Sequence, residues 1–169
     1  LAWLDSPPSA ALAEARALLG QLGALGRDGS ITPHGRRMAE LGTHPRLAHL
    51  LLRGTELGAR ELAAQLTALL EERDVLRGTD GPPDPDLQLR VDLLQSRERP
   101  SDWHGAIVDR GALERARQEA RAWRSLLPAV APTAQPPSIG ALLALAYPDR
   151  IGQRRPGQAG RFLLRGGQG

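Results

Sequence analysis

The feature that most constrains this chain is a recurrent start signal, a polar residue followed by proline. Ser6-Pro7-Pro8, Thr32-Pro33 and Asp84-Pro85 each offer a side-chain oxygen to orphan N–H groups and a ring whose φ suits a first helical turn. Pro45 marks a further start. Apolar residues then follow at helical spacing: Leu12, Ala15, Leu18, Leu19 and Leu22; Met38 and Leu41; Leu57, Ala63, Leu66 and Leu70; Leu87, Val91 and Leu94. Leucine and alanine dominate while valine, isoleucine and aromatics are scarce, so propensity favours helices over sheets. The 19 glycines and 14 prolines cluster between these segments and punctuate them. Residues 45–53, 56–70, 109–127 and 139–147 are expected as helices, 78–84 and 128–138 as loops. In ALGRDGSITPHGRRMAEL, residues 24–41, the Asp28-Gly29 turn predicts a minimal hairpin squeezed between two helices, as at the end of a winged helix. Past Pro148, RIGQRR and GRFLL read as two strands around a turn.

At 169 residues the chain is one domain or two small ones, long enough to bury about 70% of its unfolded surface. With no cysteine, a disulfide framework, a thiolate metal site and a thiol nucleophile are all excluded. No apolar run approaches the roughly 20 residues of a membrane span, and no signal peptide is recognisable. A cytoplasmic setting without membrane contact is expected. Because the sequence begins at Leu1 and its one methionine is Met38, it is expected to be a piece of a longer chain. All 22 basic residues are arginine, and without lysine no GxxxxGK[ST] phosphate loop is possible. The net charge of +3 is unevenly placed: Arg150 and the residues after it hold five arginines and no acid, whereas residues 1–149 hold 17 arginines against 19 acids. Such segregation points to a polyanion-facing end.

The stretches LAWLDSPPSAALAEARALLGQLGAL, DGSITPHGRRMAELGTHPRLAHLLL, LLEERDVLRG and ALLALAYPDRIGQRR resemble the region after the motor of bacterial HrpB-type DEAH-box ATP-dependent helicases. The resemblance implies a mainly α fold, a ratchet-type helical bundle preceded by part of a winged helix and followed by a short β segment. Residues 1–31 would be the second half of the winged helix with its wing hairpin, 32–147 the ratchet-type domain, and 148–169 the first strands of a truncated OB-like barrel. It implies no catalytic residue and no cofactor here; ATP and Mg2+ belong to RecA-like motor domains expected upstream in the same chain. The implied partners are those domains and single-stranded nucleic acid, RNA favoured over DNA.

Two constellations carry that expectation in the residues themselves. At about 100° per residue, Arg110, Arg117, Arg121 and Arg124 fall in one helical stripe, with Leu113, Ala116, Ala120, Trp123 and Leu127 a quarter turn away. As a plain solvated face, the stripe would use Glu114 to pair Arg110 or Arg117, and Glu119 to pair Arg115. As a functional face it would line a strand channel. Arg154, Arg155, Arg161 and Arg165 form the second set, whose guanidinium forks suit phosphate oxygens. Both sets are expected to converge on one groove. Five aromatics leave little for base stacking, with Phe162 and Trp103 the candidates. His34, His44, His49 and His104 lack metal-ligand spacing, and Glu71, Glu72 and Asp74 read as a solvated helix end. Rival readings are a winged helix-turn-helix regulator using Arg36 and Arg37 on duplex DNA, and a structural docking module served by the proline-rich loop at 128–138.

Overall fold

The computed structural model describes residues 7–98, 100–131, 133–155, 157 and 161–164. Seven α-helices lie among them, with a three-stranded and a two-stranded sheet. The chain divides into two compact units. One gathers the described residues up to His49 and from Ala144 onward; the other is Leu50–Leu143.

In the first unit, α1 (Ser9–Gln21) begins on Pro8 without a side-chain cap. It ends on Gly23 in the left-handed region, φ 69°. Gly23 N–H bonds Gly20 O at 3.0 Å and Ala24 N–H bonds Leu19 O at 2.8 Å, the paired closure of a Schellman motif. Among the described residues the apolar face expected on α1 is covered only toward its end: Leu12 is 40% exposed, Leu18 and Leu19 are half-buried, and Leu22, just past the helix, is buried. The expected hairpin is a single bridge, Leu25 to Ile31, closed by the Asp28 carboxylate accepting from Ser30 N–H and Oγ. Thr32 then caps α2 (Pro33–Glu40), accepting from Gly35 N–H at 3.0 Å. A Cβ on Gly35 would lie 2.2 Å from Ala24 O, so only glycine lets α2 start this close to the turn. Met38, Leu47 and Ala48 fill the core here, the last two from α3 (Pro45–Glu56).

The second unit is built on α4 (Arg60–Glu71) packed against α6 (Arg110–Leu126). Ala64 and Ala68 on α4, and Ala112, Ala116 and Ala120 on α6, are all buried at four-residue spacing, small ridges that let the two backbones approach closely. A Cβ on Gly54 would sit 2.7 Å from the Ala63 Cβ, so glycine also brings α3 against α4. Leu50, Leu51, Leu66 and Leu93 are fully buried, each worth about 2 kcal/mol.

Between α4 and α6 the chain makes a sheet that the sequence pattern does not announce. Strands β1 (Leu76–Arg77), β2 (Asp102–Trp103) and β3 (Ala106–Val108) lie in the order β1-β3-β2, all antiparallel. His104 and Gly105 both take positive φ, 53° and 78°, as the tight turn between β2 and β3 requires. Helix α5 (Leu87–Gln95) is capped by Asp86, two residues later than the expected Asp84-Pro85 start, since Asp84 is occupied in accepting from Asp86 N–H. Arg90, 4% exposed, fixes this corner by donating to both Asp74 oxygens and to the Asp84 and Asp86 carbonyls.

Helix α7 (Ile139–Ala146) is followed by a 3-10 turn (Pro148–Arg150) and by β4 (Gly152–Arg154) paired antiparallel with β5 (Phe162–Leu164). Arg46 holds that turn through Asp149 and the Ala146 carbonyl, and its guanidinium lies 5.1 Å from the Tyr147 ring centre.

Candidate nucleic-acid interface

Helix α6 is fixed at its start by Asp109, whose carboxylate accepts from Ala112 N–H at 3.0 Å and from the Arg77 guanidinium. Those two donors, the Ala112 N–H foremost, hold the Asp109 carboxyl below the usual range. The helix is therefore anchored before the arginine stripe begins.

The four stripe positions have different surroundings. Arg110 and Arg121 are exposed and make no hydrogen bond or ion pair among the described residues. Arg124 pairs with Glu61 at 2.9 Å, both side chains about half exposed. Arg117 turns inward: its side chain is 15% exposed. It donates to Leu93 O at 3.1 Å, Leu94 O at 3.1 Å and Ser96 O at 2.7 Å, and to Glu114 at 3.1 Å. These carbonyls are the orphan acceptors at the end of α5, so Arg117 closes that helix and ties it to α6. Sequence spacing groups Arg117 with its neighbours; the α5 terminus separates it from them.

The carboxylates expected to be solvated at the end of α4 are also engaged. Arg115 reaches Glu72 at 2.8 Å, not Glu119, and its hydrogen bond draws the Glu72 carboxyl down. Glu71 accepts from Trp123 Nε1 at 3.1 Å, giving this half-buried indole a polar anchor. Burial pushes the Asp74 carboxyl up, but the Arg90 hydrogen bonds and the Leu76 N–H outweigh it and leave it lowered. His49 meets His34 at 2.9 Å rather than His44. Among the described residues no three His, Asp or Glu side chains gather as a metal site.

A cleft of about 400 Å³ opens beside the stripe, lined by Glu61, Gln65, Leu94, Arg97, Glu114 and Arg121, with Arg117 in its wall.

The C-terminal arginines belong to the first unit and the stripe to the second. Arg154 lies across from Phe162 in the β4–β5 register, and Arg155 N–H bonds Arg161 O at 3.0 Å. Arg154 and Arg161 are exposed, as is Phe162 at 49%. Arg165 lies outside the described residues.

A family model for the helicase associated domain (HA2), winged-helix, matches residues 15–43. The ATP-dependent RNA helicase HrpB of Escherichia coli is 32% identical over all 169 residues, 100% of this chain and 18% of HrpB. The chain belongs with the accessory region of HrpB-type helicases. The same likeness holds in three dimensions. A crystal structure of the E. coli DExH-box NTPase HrpB matches with TM-score 0.65 and 32% identity over 98% of this chain and 17% of that one. A crystal structure of the E. coli DEAH/RHA helicase HrpB matches with TM-score 0.62 and 30% identity over 98% of this chain and 18% of that one. The pre-mRNA-splicing factor ATP-dependent RNA helicase prp22 of Schizosaccharomyces pombe is 35% identical over 68 residues, 40% of this chain and 6% of that protein. The chain thus spans under a fifth of the length of either relative. The mainly α architecture agrees with the HrpB-type helical region. Among the described residues no helix is long and apolar enough to cross a membrane.

Proposed function

We propose that this HrpB-type region forms one wall of a channel that grips single-stranded nucleic acid, RNA in preference to DNA, while a RecA-like motor in the same polypeptide hydrolyses ATP with Mg2+. Residues 1–31, 32–147 and 148–169 then serve as winged-helix half, ratchet-type domain and start of an OB-like barrel, and a cytoplasmic location is part of the same reading. The observation that carries it is the split on α6: Arg117 locks the helix to α5, while Arg110, Arg121 and Arg124 extend from the anchored scaffold toward solvent. Guanidinium forks match phosphate oxygens, and with the helix backbone already fixed only the side chains remain to be ordered on binding. The regulator alternative would rest on Arg36 and Arg37 of α2, whereas the relatives matched over the chain are named as helicases.

The test is charge reversal of Arg110, Arg121 and Arg124 to Glu in the full-length protein, leaving Arg117 in place. Strand affinity and nucleic-acid-stimulated ATPase should both fall. The log-log salt slope should shrink by about 2 in magnitude, from about 0.7 per lost phosphate contact. Unchanged affinity and ATPase would overturn the channel role.

A further inference from the structure

We infer that the cleft where α4, α5 and α6 meet is a pocket for a guanine base. This rests on the nucleic-acid reading above and adds a base preference to it. The volume of about 400 Å³ is in the range of small-ligand sites, about 300–1,000 Å³. Leu94 and Ala120, both largely buried, supply the apolar part of the cleft's lining. Its polar groups are of two kinds. Arg97 and Arg121 bring guanidinium forks that make no hydrogen bond or ion pair among the described residues. Glu114 brings a carboxylate with Oε1 taken by Arg117, leaving Oε2 as an open acceptor among the described residues. The other polar side chains are already committed: Gln65 links Gln95 to Glu61, Glu61 also accepts from Arg124, Ser96 accepts from Glu98 N–H, and Arg117 is bound to the end of α5.

A carboxylate and an arginine fork facing one cavity select among bases by elementary pairing. Guanine places two adjacent donors, N1–H and N2–H, on one edge, close enough for the open Glu114 Oε2 to accept from both, and two acceptors, O6 and N7, on another for a fork. Adenine and cytosine offer that oxygen one amino donor with a ring acceptor beside it, and uracil one donor between two acceptors, so each gains one bond where guanine gains two. A carboxylate on a phosphate-facing surface is otherwise a cost. Its removal is therefore diagnostic.

The experiment measures fluorescence anisotropy of the full-length protein with alternating uridine–guanosine, uridine–adenosine and uridine–cytidine RNA strands of equal length. The guanosine strand should bind about tenfold tighter than the other two, the margin one good bidentate base contact supplies. Glu114→Gln should erase that margin while the other strands bind as well or better. Arg97→Gln should narrow the margin too, and Arg110→Gln, outside the cleft, should weaken all three strands alike. Competition by free GMP, lost in Glu114→Gln, with no strand preference would keep the guanine pocket and name a free nucleotide as its source. Equal affinity for all three strands without GMP competition would overturn the inference, as would a Glu114→Gln variant that tightens all three equally. The wider channel role fails separately, through unaltered affinity for every strand after the Arg110, Arg121 and Arg124 reversal.

Discussion

Helix α6 and the β4–β5 ribbon both present arginines, and they differ in what holds those arginines in place. Along α6, Asp109 caps the first turn, buried alanines seat the helix on α4, and Arg117 bolts it to the end of α5. The ribbon has three residues in each strand, all exposed, with Phe162, Leu163 and Leu164 among them. Among the described residues an arginine on α6 is therefore held by contacts to two other helices, whereas β4 and β5 pair only with each other. Counting charges weights the two regions alike; counting what fixes them does not.

The largest test of that difference is paired charge reversal in the full-length protein. Arg121→Glu with Arg124→Glu should lower single-strand affinity about tenfold or more, each lost phosphate contact removing about 0.7 from the salt slope. Arg154→Glu with Arg161→Glu removes the same formal charge and should cost several-fold less. Equal losses in a salt titration of strand binding would break the comparison, and a larger loss at the ribbon would invert it.

The sequence carried the helical part of this architecture because its signals are local. Thr32-Pro33 and Asp109 cap the helices they precede, Gly23 stops α1, and leucine and alanine spacing marks α4, α5 and α6. The three-stranded sheet was not legible. Its strands have two or three residues, and Leu76 finds Val108 across 32 positions, too short and too distant for alternation to show. Its turn, moreover, uses His104 at positive φ where Asn or Asp would signal it. The candidate site divides on the same line. Arg110, Arg121 and Arg124 could be placed on a common stripe from spacing alone. That Arg117 leaves the stripe depends on three carbonyls of another element, which no periodicity within α6 contains. Arg90 was missed likewise, since its partners Asp74 and Asp84 belong to loops whose path is set only by the fold.

The same contrast can be sharpened within α6. Arg117→Ala strips hydrogen bonds from three carbonyls at a helix end, in a setting where an unmade bond to a charged donor costs about 1–3 kcal/mol. Chemical denaturation should show a loss of that order, with hydrogen exchange accelerated at the end of α5. Arg121→Ala, one turn along, should stay within about 0.5 kcal/mol, as expected of an exposed side chain. If the two variants were equally stable, Arg117 would not be the bolt between α5 and α6, and the division of labour along the stripe would fail.

The smallest effect separates the regions by acid. Asp74, Asp109 and Glu72, all in the unit that contains α6, have carboxyls drawn below their ordinary values by Arg90, by Ala112 N–H with Arg77, and by Arg115. A carboxyl whose folded pKa is depressed stabilises the fold fully above its unfolded pKa, about 4, and loses that contribution as pH falls through the depressed value. Thermal unfolding followed by circular dichroism should therefore be flat from neutral pH to about pH 5 and drop below about pH 4. Asp74→Asn should flatten the drop, because the proton that breaks the Arg90 pair has nowhere to bind. The described residues of β4 and β5 contain no carboxylate, so their cross-strand amide signals should respond to acid only through Asp149, whose carboxyl Arg46 holds low. Ribbon signals that move in step with α6 across the same range, and still do so in Asp149→Asn, would show that the two regions melt together and that the rigid support extends to both.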